Sequence, residues 1–336
     1  MTAQSQSWFG FKKPLLAGLA LAAILGAGPS AFAADATPRA QATKGEVKLT
    51  FAPPLDQPMR YEVSTLRSRG MQEQQGIVEQ VMRFRRDGEG YVLRVELVKG
   101  TLPGLTEFSL SVGDPKMPPS LRPFMEPMEY DVGADGEVLR MRHWDALKGK
   151  IGAGMKDMVA LIEPDEAKRA PAAAMIEKMA AGFQQLSPEQ AAQLFLKPWA
   201  TFLGLGRNPR EPGEWYEADI ELDTGIFPMP LPATSRMRLT RPAAAFHWEQ
   251  HTQMDPKAAS GAITSYLETM IRASGDKAPE GKIAEMRKAL GDIRINDVLE
   301  ADIDPATGMV IEGSYIRSIE AGGQKGGNGA RVKRLD

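Results

Sequence analysis

Three side chains in this 336-residue chain combine residue types and spacing suited to metal chemistry: His247, Glu249 and His251. Two imidazoles and a carboxylate make up a zinc-competent set. On a strand they project from one face, about 7 Å between neighbours and about 13 Å between the outer two. Zinc–ligand bonds are about 2 Å long, so these three alone need a bulge or a partner strand to reach one ion. Phe246, Trp248 and Gln250 alternate with them, the pattern of an ordinary strand with one wet face. The expectation is therefore no metal site. His143, the remaining histidine, precedes Trp144 as an isolated echo of the His247-Trp248 pair.

Other catalytic patterns fail on their spacing. There is no Gly-x-Ser-x-Gly elbow and no cysteine nucleophile. Gly275 and the pair Gly281-Lys282 imitate a phosphate loop, but five residues separate the glycines. Ile283 also stands where a hydroxyl must hold magnesium. Gly204-Leu205-Gly206 lacks the third glycine of a dinucleotide turn. Glu217, Asp219 and Glu221 supply carboxylates for acid–base work. Their alternation with Tyr216, Ala218 and Ile220 instead places them on a solvated strand face. The chain reads as non-enzymatic and without a cofactor.

Methionine is abundant, with 18 residues. Met155, Met158, Met175, Met179 and Phe183 fall at helical spacing, as do Phe195 and Trp199 further on. Flexible thioethers suit adaptable apolar surfaces. These seven side chains are candidates to line a pocket for a lipid or other hydrophobic ligand; the other reading is a helix-on-sheet core with Met as filler.

The elements that must position these residues follow from periodicity. Period-two alternation marks strands at 59–63, 78–86 and 91–97, the last two joined by the turn Asp87-Gly88-Glu89-Gly90. A second hairpin turns at Asp135-Gly136. From 145 to 203 the pattern is helical, and Ser187-Pro188-Glu189-Gln190 is a helix start with serine as N-cap. Strands resume at Trp215, a second helical block covers 256–290, and a hairpin at 298–319 turns around Asp304-Pro305-Ala306-Thr307-Gly308. The two halves echo each other, as an ancient duplication would. The expected class is α+β, with two antiparallel β-meander or half-barrel units and helical segments packed on them. The expected boundaries are a signal peptide at 1–33, a disordered lead-in at 34–45, a first β-meander unit at 46–143 and a helical linker at 144–212. A second β-meander unit spans 213–319 with its helical insert at 256–290, and a flexible Gly-rich tail occupies 320–336.

The Gly213-Glu214-Trp215 segment closing the helical linker and the late Asp304-Pro305-Ala306-Thr307-Gly308 hairpin resemble a group of uncharacterised exported bacterial β-rich proteins built from two β-meander halves. More distantly the layout is similar to lipoprotein-carrier folds. That resemblance implies a curved sheet cupping helices over an apolar cavity.

The N-terminus points to export. Lys12 and Lys13 precede an apolar run at 15–27, Pro29 and Ser30 end it, and Ala31-Phe32-Ala33 provides a signal-peptidase site before Ala34. Without cysteine there is no lipobox and no disulfide. No later segment is apolar and long enough to cross a membrane, so the expected location is periplasmic, not lipidated, and not membrane-spanning after cleavage. Cleavage removes two lysines and no acid, so the overall charge of −2 becomes more negative, unsuited to nucleic acid. The expected function is a periplasmic binding protein for a lipid or other hydrophobic ligand. The alternative is an envelope scaffold that binds another protein through a sheet edge or an exposed apolar patch at 227–231.

Overall fold

The computed structural model describes residues 45–336 except 70–71, 103–104, 112–121, 124, 163–164, 167–168, 225–228, 243, 274–292 and 322. The expected signal peptide, nearly all of the lead-in, Phe227 and the end of the second helical block lie outside the described residues.

Alternation in sequence becomes alternation of burial. In β9 (Phe246–Met254) every second side chain from Phe246 to Met254 is buried, while His247, Glu249 and His251 face the other way. The strands before the helical segment are β1 (Met59–Arg69), β2 (Gln72–Asp87), β3 (Gly90–Leu102), β4 (Leu105–Ser111), β5 (Met128–Val132) and β6 (Val138–Met141). β8 (Leu231–Thr240) and β10 (Arg294–Ile303) alternate in the same way, and β7 (Trp215–Leu222), β11 (Val310–Ala321) and β12 (Gln324–Arg334) are the remaining strands. All twelve belong to one antiparallel sheet in the order β6-β5-β3-β2-β1-β12-β11-β10-β9-β8-β7, with β4 paired to β3 beside this path.

This corrects the expected fold class. The protein is a mostly β, single-sheet structure, not an α+β pair of units. The overlooked element is β12. Residues 320–336 read as a flexible Gly-rich tail because Gly326, Gly327 and Gly329 give no periodic signal, yet β12 runs between β1 and β11 and welds the halves together. Glycine belongs there for a steric reason. A Cβ on Gly327 would sit 2.4 Å from the Arg317 carbonyl oxygen, and one on Gly329 2.7 Å from that of Tyr315. Glycine inside a strand marks such close approaches.

Helices lie on one face of the sheet. Between β6 and β7 come α1 (Trp144–Ile162), α2 (Arg169–Gln185), α3 (Pro188–Phe195) and α4 (Trp199–Phe202), and α5 (Pro256–Ala273) follows β9. The start of α3 forms as its sequence predicts: Ser187 Oγ accepts from the Gln190 amide at 3.2 Å and Gln190 Oε1 accepts from the Ser187 amide at 3.0 Å. The core of α1–α4 joins Ile151, Ala191, Trp199 and Phe202 to Tyr61, Met82 and Phe84 of the sheet. A smaller core packs Ala259 and Ile263 of α5 on Leu231, Met254 and Ile295.

Between these two cores on the helix-covered face runs a polar row in register across four strands: Ser235, Thr252, Asp297 and Arg317. Thr252 donates to Ser235 at 3.0 Å, and Arg317 grips Asp297 with two hydrogen bonds of 2.8 and 2.7 Å. Asp297 and Arg317 are 1 % and 2 % exposed.

Candidate functional site

The expected ligand-lining helices divide on inspection. Met155, Met158, Met175 and Met179 lie in α1 and α2, but their side chains fall outside the described residues. Phe183 and Phe195 meet as tilted rings with centroids 5.9 Å apart, and Phe195 also meets Trp144 at 5.5 Å. Trp199 is 1 % exposed, packs edge-on against Tyr61 at 4.6 Å and donates its indole N–H to Gln80 Oε1 at 2.8 Å. Phe183, Phe195 and Trp199 are therefore parts of the helix-on-sheet core. Of the apolar patch expected at 227–231, Leu231 is fully buried, Met229 is half-buried and Pro230 is exposed.

On β9 the alternation sends His247, Glu249 and His251 to the wet face, where His247 turns to β10 while His251 stays with Glu249. His247 Nδ1 lies 2.8 Å from Asp302 Oδ1 on β10, whereas His251 Nε2 lies 2.9 Å from Glu249 Oε1. Arg238 of β8 donates to the other Glu249 oxygen at 2.6 Å. Partial burial pulls the Glu249 carboxyl up, but the hydrogen bonds from His251 and Arg238 outweigh it and hold it below the ordinary carboxylate range. Among the described residues no three of His, Asp and Glu converge on a metal position. At the sheet edge Trp215 lies under Arg238 and Arg236, at 4.5 and 5.1 Å from its ring.

A cavity lies on this wet face, opposite the helices. It is a half-open trough of about 550 Å³ over the central strands, within the range of small-molecule sites. Register explains its shape. One row across the sheet places Val298, Ile316, Gly329 and Leu66 side by side on β10, β11, β12 and β1. Gly329 contributes no side chain, so the strip sinks between Ile316 and Leu66. Those two apolar side chains are 54 % and 40 % exposed, on a face where alternation should put polar groups. The adjacent row is Glu249, Glu300, Ser314, Arg331 and Ser64, and the next brings Asp302 beside Glu312. Arg331 binds Glu312. The trough is thus an apolar floor with a charged wall along its β9–β10 side.

Sequence reasoning found His247 but missed Glu300, Asp302, Glu312, Ile316, Arg331 and Leu66. The available signal was narrow: Ile316 and Leu66 sit at positions where the period of their own strands calls for polar side chains.

Neither a protein-family model nor a curated protein matches the sequence. Among the described residues no helix is long and apolar enough to cross a membrane. Among solved structures, the chain is similar to one titled for lipid–protein interactions in lipovitellin, at 9 % identity and a TM-score of 0.39. The alignment covers 88 % of this chain and 26 % of the lipovitellin chain, so the protein spans about a quarter of that neighbour's length.

Proposed function

We propose that this is an exported, non-enzymatic binding protein that holds an amphipathic or lipid-like ligand on the wet face of its sheet. The carrying observation is the 550 Å³ trough, floored by Ile316 and Leu66 where an antiparallel sheet facing water should be polar. Val298 extends that apolar row on β10. Apolar groups gathered in a concavity and rimmed by polar ones are the usual composition of a ligand site. The leader ending at Ala33 supports a periplasmic ligand, and the helices, with Phe195 and Trp199 in their core, serve to brace the sheet from behind.

The test is native mass spectrometry of the mature protein purified from its own envelope without detergent. A discrete adduct of lipid mass is expected, absent from an Ile316→Asp variant. A bare chain mass in both, together with unaltered recovery of the variant, would overturn the reading. N-terminal sequencing of the same sample should begin at Ala34; a chain retaining residues 1–33 would refute export by cleavage.

A second reading is a protein partner docking at the edge strand β7. It is favoured by Trp215, which is 36 % exposed on that edge. Crosslinking from position 215 would separate it from ligand binding.

A further inference from the structure

We infer that the trough selects amphiphiles bearing a positive charge. The inference rests on the binding reading of the same trough and specifies the headgroup. It comes from charge accounting along the β9–β10 wall. Glu249 and Glu300 face each other directly across the two strands. Like charges so placed repel. Glu249 is compensated by Arg238 and His251. Asp302 has His247, and Glu312 has Arg331. Glu300 has no hydrogen-bond or ion-pair partner among the described residues, although it lines the trough. Among the residues that line the trough are three carboxylates, Glu300, Asp302 and Glu312, and one guanidinium, Arg331; Lys333 stands beside Glu312 across β11 and β12, and Glu249 and Arg238 lie outside the lining. The opposite, β1–β2 wall is neutral, made of Ser64, Leu66 and Gln75.

Charge and apolarity are therefore separated along the trough. From β10 to β1 is three strand spacings, about 14 Å. An ammonium group seated at Glu300 would relieve the uncompensated carboxylate and leave an alkyl chain lying over Val298, Ile316 and Leu66 toward β1. An anionic headgroup in that seat would face Glu300, Asp302 and Glu312 together. A neutral headgroup gains only the apolar floor.

The experiment titrates the mature full chain with three probes of equal chain length, each below its micelle concentration: dodecyltrimethylammonium, dodecyl sulfate and dodecyl maltoside. Binding is read by calorimetry, with circular dichroism confirming that the fold persists. The ammonium probe should bind at least tenfold more tightly than the sulfate. Its advantage should shrink between low and high salt, as a partly exposed charge contact must. Glu300→Gln should weaken the ammonium probe about fivefold and the maltoside by less than twofold; Glu300→Lys should reverse the preference. Ile316→Asp should weaken the maltoside. Equal affinities for ammonium and sulfate, or a Glu300→Gln variant indistinguishable from wild type, would overturn the headgroup assignment. In that case maltoside binding that remains sensitive to Ile316 would leave the binding reading standing. If no probe binds, both fall together.

Discussion

Replacing Asp297 by asparagine tests the seal between the two cores. The side chains of Asp297 and Arg317 are almost completely buried, and the guanidinium spends its donors on both carboxylate oxygens and on the Asp223 carbonyl at 3.0 Å. Burial works against the Arg317 charge, but the Asp297 hydrogen bonds and charge outweigh it and hold the group protonated. An amide in place of the carboxylate would keep the shape and remove the countercharge, leaving an uncompensated guanidinium in a dry site. Breaking a buried pair from one side costs about 3–5 kcal/mol. With a urea slope of about 3 kcal/mol per molar, the unfolding midpoint should fall by about 1–1.7 M. The double variant Asp297→Leu with Arg317→Met removes both charges together and should lie within about 2 kcal/mol of wild type. Urea unfolding followed by tryptophan fluorescence measures all three proteins. If Asp297→Asn unfolds within about 1 kcal/mol of wild type, Arg317 reaches water or another anion and the row is not sealed.

Burial lowers Lys197 to about 8, with Asp223 opposing the shift and Arg317 adding to it. Between that value and the ordinary lysine range the unfolded chain binds the extra proton, so Lys197 by itself should raise stability with pH from 8 to 10, by about 2 kcal/mol. Just below pH 10 the trend should reverse, because burial raises the Tyr61, Tyr130 and Tyr315 phenols, so the unfolded chain loses its phenolic protons first. Thermal melts across pH 7–10 would show the rise, and Lys197→Met should flatten it. At the acid end Glu79, lowered mainly by its Arg60 hydrogen bond, contributes stability that disappears as pH falls below the ordinary carboxylate range. Ser187→Ala should cost about 1 kcal/mol in chemical unfolding, since it removes one half of a reciprocal cap. Gly327→Ala should cost about 1–3 kcal/mol, because its Cβ would collide with the backbone of β11; an unchanged midpoint would mean the strands can part there.

Local chemistry was legible where it acts within a few residues. The Asp87–Gly90 turn, the Ser187 cap and the alternation of β9 all follow from neighbours in the chain. The face on which Glu249 lies was readable for the same reason. What alternation does not specify is which strand lies alongside. Glu300 facing Glu249, and Ile316 flanking Gly329 opposite Leu66, exist only once β10, β11, β12 and β1 are in register. The same blindness turned β12 into a tail, for a strand whose neighbours exclude side chains carries no hydrophobic period. Arg317 and Asp297 are the converse case, charged residues on the buried phase of their strands, held there by each other.

The pairing of β1 with β12 has a consequence in time. Arg60 donates its backbone N–H to the Asp336 side chain across 276 residues, and Tyr61 donates to the Val310 carbonyl. Until β12 leaves the ribosome, both β1 and β11 present open edges. Such long-range closure makes folding slow and leaves the waiting chain prone to misassembly. A sheet closed only by β12 cannot finish folding before that strand has been made. For an exported chain that delay would keep the polypeptide threadable for a translocon, and would make a holding chaperone part of its route to the native sheet.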